Sequence, residues 1–213
     1  MPAAEDKFAR VIALLSLVAS MAAVVVPYVQ QRASQEEQFK AELELRGKGS
    51  YKLAGINLGE HGKVVQSPWR VTLSNVGNQK LSITRYTLSE GKTPGARTYT
   101  GLDGGLTDEQ GVAVQLPLVL EGGETRAFIL HIGSLVSPKS VDLLQTYASD
   151  GSIPVEQGNL VLARTGVDLY GNALTLKEFD SGYMVEWTLP KKPTYWIEVT
   201  TGRANSFRAS SSP

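Results

Sequence analysis

The side chains closest to a chemical arrangement in this sequence are the acids of a glycine-rich segment. Asp103, Asp108 and Glu109 fall within Gly101 to Gln110, GLDGGLTDEQ. Oxygen-rich loops can hold calcium, but the regular alternation of ligands in an EF-hand is missing. A solvated surface loop is the plainer reading. Together with His61, the same carboxylates would make a dispersed carboxylate/histidine site of the kind an envelope hydrolase needs. Clustering in one cleft would support that site, and scatter over open loops would remove it. The chain has two histidines, His61 and His131, and no cysteine. No His-x-x-x-His spacing occurs, so a zinc site would have to draw on distant carboxylates. Neither a Gly-x-Ser-x-Gly elbow nor a Gly-x-x-x-x-Gly-Lys phosphate loop is present. The reading is of a non-enzyme with no catalytic, cofactor or metal residues.

Aromatic side chains give the one hint of recognition. Trp69 shares parity with Val71 and Leu73, and Trp187 with Tyr183, Val185 and Leu189, so both are expected in a core. Trp196 instead shares a face with Glu198 and Thr200. With loop-borne Tyr99 it forms the candidate recognition surface for a protein or glycan partner. The alternative is a partly covered edge aromatic, since single exposed apolar residues are ordinary.

The elements that must hold such residues read as strands. Ala41, Leu43 and Leu45 alternate with Glu42, Glu44 and Arg46, and Trp69, Val71 and Leu73 with Arg70, Thr72 and Ser74. That period of two marks half-buried strands. Leu81 and Ile83 continue it, and Tyr86 and Leu88 resume it one residue out of phase. A slip of this kind predicts a β-bulge near Thr84 and Arg85. Val112, Val114, Leu116, Leu118 and Leu120 share one parity. Pro117 removes a ladder donor there, so an edge strand or two short strands are expected. Gly122 and Gly123 turn the chain into Arg126 to Ile132, with Phe128, Leu130 and Ile132 inward and His131 facing solvent or a sheet interface.

Leu160 with Leu162, Val167 with Leu169, Tyr183 through Leu189 and Tyr195 through Val199 are further strand candidates. Ser140 to Ala148, with Val141, Leu144 and Tyr147 spaced by three, is the one helix expected among them. Asn75-Val76-Gly77-Asn78 and Tyr170-Gly171-Asn172 read as hairpin turns. Many short strands with frequent turns predict an antiparallel sandwich or barrel.

Ahead of the strands, Val11 to Val29 (VIALLSLVASMAAVVVPYV) carries no charge. At roughly 1.5 Å per helical residue such a run just crosses a hydrocarbon core of about 30 Å. This predicts a single-pass signal-anchor helix in contact with the lipid bilayer. A cleaved signal peptide is the first alternative, with Lys7 and Arg10 at its start and Ala19, Ala22 and Ala23 as small residues; the apolar run, however, continues past them. A buried core helix is the second. Ser16 with Ser20 and Ala19 with Ala23 have the spacing of a helix-pairing face, so the helix can be a homo-oligomer contact or a lipid-facing monomer. Lys7 and Arg10 on the near flank against Arg32 on the far one place the domain outside the plasma (inner) membrane. A wider count adding Lys40, Arg46 and Lys48 reverses that sign.

The expected organisation is an N-terminal tail over 1–10, a transmembrane helix over 11–29, a polar stalk over 30–40, a β-sandwich domain over 41–202 and a disordered tail over 203–213. Basic and acidic residues balance at 21 each with no long run of either sign. A nucleic-acid binder would carry a basic stripe, so that class of partner is not expected.

The segment PWRVTLSNVGNQKLSITRYTL, with Asn75 and Gly77 ending one run and Leu81 and Ile83 opening the next, resembles a broad class of bacterial immunoglobulin-like domains. LPLVLEGGETRAFILHI, with its Gly123-Glu124 turn, looks like another part of the same pattern. A short N-terminal membrane helix leading into such a domain is similar to many bacterial envelope proteins. The resemblance covers roughly residues 65 to 135, and its motifs mark turns rather than sites, so it implies fold and little about function. The Cys and Trp pattern of antibody-type domains is absent. The fold class expected is mainly β, an immunoglobulin-like antiparallel β-sandwich preceded by one N-terminal transmembrane α-helix. The expected role is a binding or assembly module at the cell envelope. An envelope hydrolase and a secreted structural subunit freed by signal-peptide cleavage are the alternatives.

Overall fold

In a computed structural model the backbone is described for residues 3–99, 103–187 and 192–211, and side chains for 13–29, 36–96, 103–187 and 192–211. Helix α1 (Ala3–Gln35) comes first and contains Pro27. Every described side chain from Ala13 to Val29 is exposed. The expected membrane-spanning helix is not returned: among the described residues no helix is long and apolar enough to cross a membrane. Val11 and Ile12, the first two residues of the uncharged run, lie outside the described side chains.

The protein is mainly β, with antiparallel sheets. Strands β1 (Phe39–Leu45), β2 (Ser50–Asn57), β3 (Lys63–Asn75), β4 (Leu81–Glu90), β5 (Arg97–Tyr99), β6 (Leu106–Thr107), β7 (Leu118–Leu120) and β8 (Thr125–Val136) come next along the chain. There follow α2 (Pro138–Tyr147), β9 (Ser152–Pro154), α3 (Val155–Ala163), β10 (Leu174–Phe179), β11 (Gly182–Trp187), β12 (Tyr195–Thr201) and β13 (Ser206–Ser210). One sheet runs β6-β8-β3-β2-β9, the other β13-β12-β4-β5 with β7 also on β4, and β10-β11 stands apart as a two-stranded hairpin. β3 is the spine of the first sheet. Its 13 residues carry β8 along one edge and, along the other, β1 on Trp69–Asn75 and β2 on Lys63–Gln66.

Between the two sheets lies the main core. Trp69, Val71, Leu73, Leu81, Ile83, Leu88, Leu120, Leu130, Ile132, Tyr195, Ile197 and Val199 are all nearly inaccessible, each large side chain contributing about 1.5–3 kcal/mol by its burial. The expected bulge is present: Thr200 faces Arg85 and Thr201 faces Ile83, leaving Thr84 as the extra residue. The Trp69 and Tyr195 rings meet edge to face at 5.2 Å, and the Tyr195 hydroxyl and Ser134 Oγ share a buried hydrogen bond of 2.6 Å. Leu118 and Leu120 bury as expected in the short β7, while Val112 is exposed.

Several expectations are corrected. Asn75-Val76-Gly77-Asn78 is not a hairpin: β3 and β4 belong to different sheets, so this segment crosses between them. The buried Asn75 amide nitrogen donates to the carbonyls of Gln79, Leu120 and Glu121, and its oxygen accepts from Gly77 N. Asparagine is needed there for its side-chain amide, which ties the β3–β4 crossover to the β7–β8 crossover beside it. The segment 203–213, expected to be a disordered tail, contains β13, which pairs with β12 through Ser210 and carries Ser211 onto Leu43 of β1. The alternating Phe207 and Ala209 pack on the core, a signal that the serine-rich composition concealed.

Leu160 and Leu162 lie on α3, not on a strand. Val155, Gly158, Val161 and Leu162 are buried at helical spacing. Gly158 lets the helix approach Tyr51, since a Cβ there would lie 2.8 Å from the ring. The segment Val167–Leu169 is a turn with a single bridge from Val167 to Ala173. The expected helix near Ser140 is α2, capped by Ser137, whose Oγ accepts from Ser140 N. These helices cover the end of the first sheet beyond the sandwich. A second core of Tyr51, Val65, Val136, Val141, Leu144, Ile153, Val161 and Leu162 lies beneath them.

Candidate functional site

The acidic candidates do not assemble. Asp108 Oδ1 accepts from the backbone N–H of Gln110 and Val112, closing a turn at Gly111. Asp103 accepts from Gly105 N and faces Tyr86, whose hydroxyl is pushed up to about 12 by burial and then by that carboxylate. Glu109 is exposed on the Asp108 turn, and His61 is exposed in a short 3-10 turn on another part of the surface. No group of three His, Asp or Glu side chains that could hold a metal occurs among the described residues. A Ser-x-x-Lys spacing does occur from Ser89 to Lys92. The buried Ser89 Oγ accepts from Gly95 N while Lys92 is exposed, so the pair acts as turn chemistry.

Asp168 repeats the Asp108 device. Its Oδ1 accepts from Tyr170 and Asn172 N, its Oδ2 from the Asn172 amide, and Gly171 supplies the positive φ. Asp-x-x-Gly-x-Ala therefore recurs at Asp108–Ala113 and Asp168–Ala173 as a stapled turn. The expected turn at Tyr170-Gly171-Asn172 is the second of these.

Of the expected aromatic surface, one of the two side chains is described. Trp196 does point off the core, but it is half-buried and its indole N–H donates to Gly91 O at 2.9 Å. The backbone of Tyr99 pairs with Leu88 on β5, and its side chain lies outside the described residues. His131, expected at solvent or a sheet interface, is 9% exposed. Segment 103–105 covers it, with Gly104 donating to His131 O at 2.9 Å. Burial, and then Lys52, hold its imidazole down at about 4.

Trp187, expected in the core, is 47% exposed. Register explains this: Leu174 faces Trp187, Leu176 faces Val185 and Glu178 faces Tyr183. One face of the β10–β11 hairpin therefore carries Leu174, Leu176, Tyr183, Val185 and Trp187 beside Glu178, and the hairpin pairs with neither large sheet. The missed signal is the Asp180-Ser181 turn between two alternating runs, which makes a free-standing hairpin; reading Tyr183 through Leu189 as a core strand overlooked it. Arg164 forks onto Glu178 Oε1 at 2.9 and 3.0 Å, and Leu174 N donates to Gly166 O, holding the hairpin to α3 and the turn after it.

Between this face and the body of the domain opens a groove of about 210 Å³. Tyr183, Val185 and Trp187 form one wall, and Tyr51, Leu169 and Tyr170 lie opposite, with Leu45, Asn159, Asp168 and Lys192 also lining it. The Tyr51 hydroxyl donates to Asn159 Oδ1 at 2.7 Å. Desolvation raises the Tyr51 hydroxyl well above its ordinary value, and desolvation followed by Asp168 pushes Tyr170 up to about 12. Both remain neutral donors at physiological pH. The lining can grip one ring-sized apolar group.

At the opposite end of β1, the chain leaving α1 is fastened to the sandwich. Glu37 Oε2 accepts from Thr201 Oγ1 at 2.6 Å and Asn205 Nδ2 at 2.8 Å, and Gln38 O accepts from Val76 and Gly77 N. The Glu37 side chain is only 7% exposed. Leu45 lies six residues along β1 from Phe39, so groove and clasp are separated by about 20 Å at roughly 3.3 Å per strand residue. Comparison with protein-family models, curated proteins and solved structures returns no match.

Proposed function

We propose that this is a membrane-anchored, non-enzymatic binding module that presents its groove away from the bilayer. The observation that carries the reading is the aromatic groove at the end of the domain remote from the α1 clasp. Exposed Trp and Tyr flanking a pocket are the residue types that dominate recognition energies. The uncharged run from Val11 to Val29 lies within α1, and its described side chains are exposed on every side. No helix among the described residues meets the length and apolarity of a membrane span, so the support for a lipid contact is the uncharged run itself. An extracytoplasmic domain is part of this reading, supported by Lys7 and Arg10 on the near flank.

An immunoglobulin-like sandwich is part of the same reading. The orders β1-β3-β8-β6 and β13-β12-β4-β5 support it, since they match the A-B-E-D and G-F-C-C′ sheets of that fold. The region from α2 to β11 is then an insertion between the strands equivalent to E and F.

The chain has no cysteine, which makes site-directed labelling clean. In liposomes, Ser16→Cys and Ser20→Cys should resist a membrane-impermeant maleimide that labels Gln145→Cys; equal labelling would defeat the anchor. A photo-crosslinking residue at Tyr183 in whole cells should give a discrete adduct that the same residue at Tyr147, also exposed, does not. Identical patterns from the two positions would defeat the groove as the binding site.

A further inference from the structure

We infer that the occupant of the groove is an extended polypeptide segment, added as a third strand to β11, with one apolar side chain in the groove and an acidic residue beside Lys192. The inference rests on the groove being the binding site. Among the described residues β11 pairs only with β10, so its outer backbone edge is open along six residues. An open edge of that length is a template for strand addition. A peptide laid along it alternates its side chains between the two faces, and one set falls on the face of Tyr183, Val185 and Trp187, against the groove.

The polar groups of the groove argue for peptide over sugar. Hydroxyl recognition needs placed donors and acceptors, yet Asp168 spends its oxygens on Tyr170 N, Asn172 N and the Asn172 amide, and Tyr51 is committed to Asn159. On this face the hairpin instead offers Tyr183 and Trp187, 45% and 47% exposed, types enriched in protein interfaces. Asp168 is bound up in its own turn, while Lys192 is exposed and is the sole cation among the described lining residues, a counter-charge for an acidic residue of the peptide. A volume near 210 Å³ is below the roughly 300–1,000 Å³ of sites for whole small ligands, so it suits one side chain of a longer partner.

The test is selection of a phage-displayed random heptapeptide library on the full-length protein in nanodiscs, with the Trp187→Ala/Tyr183→Ala double variant as counter-selection. Both side chains are about half exposed, and a matched melting curve confirms that the variant is folded. The expected result is enrichment of alternating apolar sequences that contain Asp or Glu. Synthetic versions should bind Trp187→Ala about tenfold or more weakly, lose a similar factor when alternate amides are N-methylated, and lose their acidic preference with Lys192→Glu. No enrichment over the double variant overturns the inference, as does equal binding of the N-methylated twin. A hexasaccharide of N-acetylglucosamine is the control ligand. Trp187-dependent binding of it, without any peptide, would keep the groove and overturn the peptide. Peptide binding that ignores Trp187 would sink the groove reading as well.

Discussion

The sandwich and the region from α2 to β11 use apolar residues in opposite ways. In the sandwich, alternate residues of β3, β4, β8 and β12 meet across two sheets and leave almost nothing accessible. In the later region, α2 and α3 close a smaller core, and the hairpin beyond them keeps Phe179, Tyr183, Met184 and Trp187 between 43% and 58% exposed. Apolar surface is thus spent on stability in one region and left available for contact in the other. Substitutions should therefore separate the two: changes in the sandwich act on folding, and changes in the hairpin act on binding alone.

The largest effect expected is from Leu130→Asp, which places an unpaired charge at a fully buried position shared by β3, β6 and β8. A loss above about 4 kcal/mol should unfold the domain, and an unaltered melting transition would show the strand parity to be wrong. Leu144→Ala, also fully buried, should cost about 2–4 kcal/mol. Hydrogen exchange then decides how separate the regions are. Faster exchange confined to α2, α3 and β9 makes the second core its own cooperative unit, whereas faster exchange throughout merges the two.

Acid should weaken the sandwich through His131. Its folded-state value near 4 is below the roughly 6.5 of an unfolded chain, so the unfolded state binds the proton first. The contribution is complete above about pH 6.5, is lost as pH falls towards 4 and is flat below. Its size is about 1–3 kcal/mol. His131→Gln should flatten that window in a series of melting curves. Asn75→Ala removes the amide that joins the two crossovers, at about 2–3 kcal/mol in denaturant titrations. At the small end, Glu198→Ala breaks surface contacts with Arg208 and Ser206 and Trp187→Ala empties a half-exposed site; each should move stability by less than about 0.5 kcal/mol.

The sandwich was legible where a strand has one buried face, as in β12 and the second half of β3. Trp69, Val71 and Leu73 advertise theirs, and the phase slip before Tyr86 placed a bulge near Thr84 and Arg85, where Thr84 is the extra residue. The groove was not legible because its residues obey the same alternation without the same burial. Tyr183, Val185 and Trp187 have the pattern of a core strand, and only the absence of a covering sheet makes them a surface. His131 misled in the opposite direction: its parity pointed away from the core, but Gly104 and its neighbours cover that face. The acids failed as a site because Asp103 and Asp108 accept from the backbone of their own turns and Glu109 and His61 stay exposed apart from them, a role that the Asp-x-x-Gly spacing of Asp108 signals when read as turn chemistry.

The clasp at Glu37 has a mechanical consequence. β1 starts at that clasp and runs towards the groove, paired with β3 from Phe39–Asn75 to Leu45–Trp69. With the proposed anchor at one end and the proposed partner in the groove at the other, tension between them would act along β1. All seven residue pairs would then resist together in shear, where a pull across the strand would peel them apart one at a time. Under the proposed anchoring the domain would bear load along its strands, and its lifetime under force would be set by how fast β1 slides past β3.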